Sequence, residues 1–515
     1  MPPRKARTQT AGIYQDRLRS SIGLRRDGEY KAKLATTVPT GFWDRADVAA
    51  ALADRDIGAV IRHFRKWTGA TQTDVSVLVG VPQPHVSELE RGARRVSTLA
   101  VFERFAEGLT IPRHLLGLAE LADVRLPSTS SDDDRVRADQ QEWLRVRRSL
   151  NKYRSALTQT ALSLYPPSAR IGQTGILAPD SWRLAAPVDL GHIDLELATD
   201  QPLAVSGRED ESRPLRPLVS LGRRYDSYHR AMRDLDRPRL FENRVCYRLC
   251  GAHWDGGSGR LTLGHMRYFD MIDVGEASAH ELALRTVDRD GNIHRDRAIW
   301  DNLAFRRLLR NPFELDVYPL LLSVSTLTIR RSRAGATFLL LRRGVGQVAI
   351  AGGMLSVMPT GVFQPASILP APHSPDFDLW RNVMREYSEE FLGNPEHDGY
   401  GDPIDYANEE PFRSLDAARH AGKIRVLCLG VGIDALNLVG DVFTVAVFDA
   451  DVFDDLFRGL VETNEEGTVT RGGAEREEFT FDGQSIDRLL STEPIAPSGA
   501  ACLYLAWQHH RSIVD

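Results

Sequence analysis

Cysteine is scarce: four residues in a chain of 515, which excludes a disulfide framework as the source of stability. Cys246 and Cys250 alternate through a strand-like run with His253 and His265 nearby. Their spacing follows no common zinc pattern, so no zinc is expected and the thiols read as buried ones. Long hydrophobic runs are also missing. None reaches the ~18 residues that span a bilayer, and the first residues lack the apolar core of a signal peptide. A cytoplasmic, nucleoid-associated protein is expected. Strong net charge is absent as well, at −5 for the whole chain. The molecule is no polycation, so any contact with nucleic acid must be local.

The chain does have the makings of several cores. Its apolar share of 42% and charged share of 26% are those of a globular protein, and its length suggests about three domains. Residues 1–36 are locally basic, with Arg4, Lys5, Arg7, Arg17, Arg19, Arg25, Arg26, Lys31 and Lys33 against Asp16, Asp27 and Glu29. Residues 1–50 read as a basic arm that adds phosphate contacts or as a solvated tail.

The most informative run lies between Thr71 and Gly92. Thr71 is a good N-cap for a short helix with Val75 and Leu78 on one face. Gly80 allows a left-handed residue where that helix must turn. Pro82 and Pro84 suit the first turn of a second helix, whose amide donors are unsatisfied anyway. Val86 and Leu89 anchor that helix, leaving Gln83, His85, Ser87 and Arg91 on its outer side. A helix presenting hydrogen-bonding side chains at its N-terminal end is what major-groove reading requires.

Together with helical patterns over 57–66, 99–109 and 112–118, this stretch resembles the lambda-repressor-like (Cro/repressor, xenobiotic-response-element) helix-turn-helix family. The resemblance implies a five-helix DNA-binding domain over 51–124. It implies that Thr71 and Gln72 lie at the DNA backbone, that Gln83, His85 and Ser87 face base edges, and that Arg91, Arg94 and Arg95 hold phosphates. Pro84 departs from the pattern by stiffening the helix start and removing an amide from it.

Residues 125–137 are turn-rich and acidic and read as a linker. From 138 to 167 a helical pattern places Trp143, Val146, Leu150, Tyr153, Leu157 and Leu164 on a heptad-like seam, flanked by Arg145, Arg147, Arg148, Lys152 and Arg154. The seam either packs on its own domain or pairs with a second chain as a homodimer. Residues 168–318 read as a middle α+β domain, with a hairpin turning through 255–259 and a helix from Gly275.

From about residue 319 clean strands appear, then Met358–Pro365, then a helix over 378–393. Glu386, Glu389 and Glu390 are three and four residues apart and share one face of an ideal helix. Carboxylates gathered there suit magnesium. The run Arg385-Glu-Tyr-Ser-Glu-Glu390 resembles the box of Nudix hydrolases, with Pro359-Thr-Gly361 standing for the turn that precedes it. The resemblance implies an α/β/α sandwich over 319–515. It also implies Mg2+ on Glu386, Glu389 and Glu390, held over a diphosphate ligand, with Arg385 ordering the glutamates. Three departures weigh against turnover: Phe377 replaces the upstream glutamate, Leu392 stands where glycine belongs, and the preceding loop is long and proline-rich.

The expected fold is therefore multidomain, an all-α helix-turn-helix domain followed by a mixed α+β region ending in a Nudix-like sandwich. The expected function is a sequence-specific DNA-binding transcriptional regulator, active as a dimer, whose Nudix-like part senses a nucleotide-like diphosphate. One alternative is a magnesium-dependent diphosphate hydrolase carrying a DNA-binding domain. The other is a DNA-bound module that recruits proteins and binds no ligand.

Overall fold

The computed structural model describes residues 42–43, 45–79, 81–92, 96, 99–116, 130–199, 202–238, 241–343, 354–366, 375–395, 404–460, 467–470 and 479–514. The chain forms two compact units, residues 1–127 and 128–515. The first is helical and the second is strand-rich α+β. Among the described residues no helix is long and apolar enough to cross a membrane.

In the first unit the helices are α1 (Ala46–Ala53), α2 (Ile57–Thr68), α3 (Gln72–Val79), α4 (Gln83–Arg91) and α5 (Leu99–Leu109), followed by a 3-10 turn at Arg113–Leu116. Asp56 caps α2 by accepting from the Ala59 amide at 2.9 Å. Gly69, in the left-handed region at φ 73°, ends it. Phe42, Val48, Leu52, Val60, Ile61, Phe64, Val75, Val86, Leu89, Phe105 and Leu109 form one core. Two glycines set how closely the helices approach. A Cβ on Gly58 would lie 2.0 Å from the Leu89 carbonyl oxygen, and one on Gly108 would lie 2.5 Å from that of Leu78. Helix α1 begins inside the stretch expected to be a basic arm, residues 1–50, and ends beyond it. Its buried Val48 and Leu52, with Phe42, make residues 42–53 part of the core.

The second unit opens with α6 (Ser130–Lys152) and α7 (Arg154–Leu162). Helix α6 begins within the expected linker, because Ser130 onward continues the helix rather than a turn-rich spacer. The heptad-like seam does not face outward. Trp143, Val146, Leu150 and Leu157 are buried within their own unit, the last three against Leu177, Leu282, Ala283 and Leu303. The seam is thereby removed as a surface for pairing with a second chain.

Among the described residues sixteen strands follow. The first seven are β1 (Ile176–Leu177), β2 (Arg183–Asp189), β3 (Ile193–Leu197), β4 (Leu218–Ser220), β5 (Arg223–Arg224), β6 (Val245–Asp255) and β7 (Ser258–Arg267). Next come β8 (Leu322–Ser332), β9 (Gly335–Phe338), β10 (Leu340–Arg343), β11 (Leu355–Val357) and β12 (Thr360–Val362). The last are β13 (Ile424–Asp434), β14 (Gly440–Asp449), β15 (Gly467–Thr470) and β16 (Phe479–Thr480). The main sheet runs β1-β13-β14-β8-β9-β16, with β12 also on β8 and β2 also on β13. Only β14 and β8 are parallel in it, paired from Gly440↔Leu322 to Asp449↔Arg331. Both are buried along nearly their whole length, as parallel central strands are. The hydroxyls this buries are satisfied across the sheet: Ser325 donates to Asp441 at 3.0 Å and Thr326 meets Thr444 at 2.8 Å.

Strands β1 and β2 come from the expected middle domain yet pair with β13. Residues 168–318 fall in one compact unit with the C-terminal residues, and two of their strands complete the C-terminal sheet. The expected hairpin through 255–259 is β6–β7, joined in a second sheet to β3. The mixed sheet with helices packed on it makes the second unit α+β.

A buried charged cluster ties α6 and α7 to the helix that follows β7. That helix is π-helical over Ile272–Glu276 and continues as α8 (Ala277–Thr286). Glu276 is fully buried and accepts from Arg154 at 2.6 Å and from Arg147 at 3.4 Å. Arg147 and Arg154, two of the arginines expected to flank the seam, are buried with it. One turn on, His280 meets the Tyr228 hydroxyl at 3.0 Å and stacks on Trp143. Burial first, then the charges of Arg147 and Arg145, push the His280 imidazole down to about 3. An unfolded histidine titrates near ~6.5, so between these values the unfolded chain binds a proton that the native one refuses. Stability of the second unit should be full above about pH 6.5 and fall as the pH drops toward 3. Urea midpoints at stepped pH check this, and His280→Gln should flatten the slope by about one proton.

Candidate nucleic-acid interface

Helices α3 and α4 are joined through residues 80–82 and both pack on α2. Helix α3 starts with a reciprocal cap. The Asp74 amide donates to Thr71 Oγ1 at 3.1 Å, and the Thr71 amide donates to the Asp74 carboxylate at 2.8 Å. Pro82 precedes α4, Pro84 sits in its first turn, and Gly92 at φ 73° ends it. Val86 and Leu89 face the core, as their spacing implies.

Gln83, Pro84 and Arg91 are exposed, and His85 and Ser87 are half-buried. The Arg91 Nε donates back to the Ser87 carbonyl at 3.3 Å. Gln72 and Gln83 are brought together: the Gln83 amide donates to Gln72 Oε1 at 2.7 Å. Gln72 in turn donates its own amide to Glu90. Arg94 and Arg95, and the turn residue Gly80, lie outside the described residues.

Glu90 is the functional residue that sequence reasoning passed over. Its side chain is buried at the inner end of α4. It accepts two bonds from Arg65 of α2, at 2.7 and 2.8 Å, besides the one from Gln72 of α3. Arg62 donates to the Glu90 carbonyl, and Arg65 also reaches the Ala70 carbonyl at 3.0 Å. One carboxylate thus joins three helices and, through Gln72, orients Gln83. The signal was present: Glu90 follows Val86 and Leu89 on the inward stripe, and a carboxylate there needs a cation.

The acidic helix of the second unit is α9, spanning Leu379–Glu386, with Asp378 as its cap. A π-helical stretch over Tyr387–Phe391 continues it. Arg385 is buried. It donates to Asn382 at 2.8 Å, to the Gln364 carbonyl at 2.6 Å, to Tyr406 at 2.9 Å and to Asp376 at 3.4 Å. The bonds to Gln364, Tyr406 and Asp376 tie the helix to its flanking loops. Burial disfavours its charge, but Tyr406, Asp376 and Glu386 outweigh that and raise its pKa. Glu390 is buried and accepts from the Thr360 amide at 3.1 Å. Glu386 and Glu389 are half-buried. The Glu386 carboxylate lies against Gly361, where a Cβ would come within 1.9 Å of it. Switching to i→i+5 bonding at Tyr387 widens the turn between the glutamates. Among the described residues no set of three His, Cys, Asp or Glu side chains is gathered to hold a metal. Cys246 is buried and its thiol is pushed up to about 12 by desolvation.

Residues 56–118 match the family model of a helix-turn-helix domain. A search of curated proteins finds no match to the chain. The first unit therefore carries a helix-turn-helix domain, and that domain suggests a DNA-binding regulator.

Replacing Glu90 with Ala strands the Arg65 guanidinium and frees Gln72. Arg65 is part-exposed, so water recovers some of the loss, and about 1–3 kcal/mol is expected. Hydrogen exchange of amides 57–109 should quicken accordingly. Exchange like that of the wild type would show that the three helices do not depend on this carboxylate.

Proposed function

We propose that the chain is a sequence-specific DNA-binding transcriptional regulator that reads DNA with the first unit and senses a small ligand with the second. The observation that carries the first half is α4 itself. It has a buried inner face, a left-handed glycine at its C-terminal end and an outer face of hydrogen-bonding side chains, within a stretch matching a helix-turn-helix domain. In this reading Gln83, His85 and Ser87 meet base edges in the major groove, with Gln72 holding Gln83 in place. Thr71, Gln72, Arg91, Arg94 and Arg95 sit along the phosphates, and Pro84 stiffens the entry of the helix. One such module buries only ~600–1,000 Å², so the reading includes a homodimer on two half-sites.

Selection of bound fragments from random DNA tests it. Wild type should enrich a site of two half-sites one helical turn apart. Replacing Gln83 and His85 by Ala should abolish enrichment while leaving salt-sensitive binding, since each base contact is worth ~1–3 kcal/mol. Equal enrichment by both proteins would place the reading face elsewhere, and protection of a single half-site would remove the dimer.

For the second half, the reading is a Nudix-like site for a diphosphate-bearing ligand. The supporting observation is the seating of the 359–361 turn on the acidic helix, through Glu390 on the Thr360 amide and Glu386 on Gly361. Magnesium would arrive with the ligand, whose phosphate oxygens would join Glu386 and Glu389, and Glu390 if it left the Thr360 amide. The ligand would bias the protein by binding one state better than another. Calorimetry with magnesium and a nucleoside-diphosphate sugar should show binding that Glu389→Gln weakens by about tenfold or more. Binding blind to that change would remove the site from this helix. Rapid hydrolysis would favour the alternative, a magnesium-dependent diphosphate hydrolase carrying a DNA-binding domain.

A further inference from the structure

A pocket of about 510 Å³ opens on the second unit, away from the acidic helix. Its lining combines Tyr165, Pro166 and Ala169, which follow α7, with the segment Arg307–Glu314. That volume falls within the ~300–1,000 Å³ of small-molecule sites. The apolar wall is Pro166, Leu308, Pro312 and Phe313, and Leu308 is exposed to 37%. An exposed leucine beside two prolines and a phenylalanine offers surface for an apolar body.

The polar side of the pocket is cationic. Arg310 rests over the Trp300 ring, its guanidinium carbon 5.6 Å from the centroid, and Trp300 meets the Tyr165 ring edge-on at 5.5 Å. Among the described residues, the Arg307 side chain pairs with the exposed Asp301 at 3.8 Å. In water such a pair is weak, which leaves the guanidinium available to a ligand. Tyr165 is 5% exposed and lends the pocket part of its wall, its ring held edge-on by Trp300. Glu314, held by Asn311 at 2.8 Å, lies on the same wall. Two arginines against one glutamate leave a single excess positive charge in the lining, which suits one carboxylate better than a diphosphate.

We infer that this pocket binds a monocarboxylate with an apolar body of about aromatic-ring size, its carboxylate on Arg307 and Arg310. The assignment stands apart from the diphosphate reading, because it uses none of the same residues. Titration of the full-length chain with 3-phenylpropionate tests it, with the uncharged 3-phenylpropanamide and inorganic phosphate as comparisons. The acid should bind about tenfold or more tighter than the amide, since a charge-assisted pair is lost in the amide. Arg310→Gln and Arg307→Gln should each weaken the acid by a similar factor and leave the amide unaffected. Both arginines are exposed, so an unchanged circular dichroism spectrum is expected of each variant. Equal binding of acid and amide would overturn the proposal, as would variants that bind the acid like wild type. Displacement of the acid by equimolar phosphate, or no binding of the acid at about 10 mM, would overturn it too.

Discussion

The first unit turns on one buried carboxylate. Glu90 sits where α2, α3 and α4 must agree, and it takes bonds from Arg65 and Gln72. A carboxylate removed from water is costly unless paired and hydrogen-bonded. The cheapest arrangement for Glu90 is therefore the one that brings these helices to fixed angles. Gly58 permits the close approach of α2 to α4 that this needs, since a side chain there would collide with the Leu89 carbonyl. The outer face of α4 inherits its orientation from the inner one, through the chain Glu90–Gln72–Gln83.

The second unit uses the same device for a different end. Glu276, fully buried between Arg147 and Arg154, locks α6 and α7 onto the helix that passes through a π-helical stretch at 272–276. Such a cluster is weak evidence for stability, because desolvation offsets much of the attraction. It does select an arrangement. Any slip of α6 by one turn would leave a charge buried without its partner. The sheet beneath has a comparable constraint, with hydroxyls of β8 paired to Asp441 and Thr444 of β14. A register shift would strand those groups and turn apolar side chains to the wrong face.

The acidic helix illustrates how local pattern and tertiary use diverge. Spacing alone puts Glu386, Glu389 and Glu390 on one face of an ideal helix. In the folded chain Arg385 is drawn into a buried network with Asp376 and Tyr406, and Glu390 turns in to cap the Thr360 amide. Asp376 and Tyr406 lie nine residues before and twenty-one after the arginine, so no motif window contains both. The proline-rich loop that looked like a departure from the box supplies Asp376, one of the partners of Arg385.

What the sequence determined by itself is what short-range physics controls. The caps at Thr71 and Asp378, the glycine after α4, the inward Val86 and Leu89, and the hairpin through 255–259 all follow from neighbours within a few residues. The helix-turn-helix was legible for that reason, since its turn, caps and core spacing are local. Only the tertiary structure decided where long-range partners lie. It buried the Trp143–Leu157 seam within its own unit, placed Arg147 and Arg154 on Glu276, and completed the C-terminal sheet with β1 and β2. An apolar stripe specifies that it must be covered but carries no record of what covers it. A basic residue on its flank reads as solvated until a buried acid more than a hundred positions away claims it.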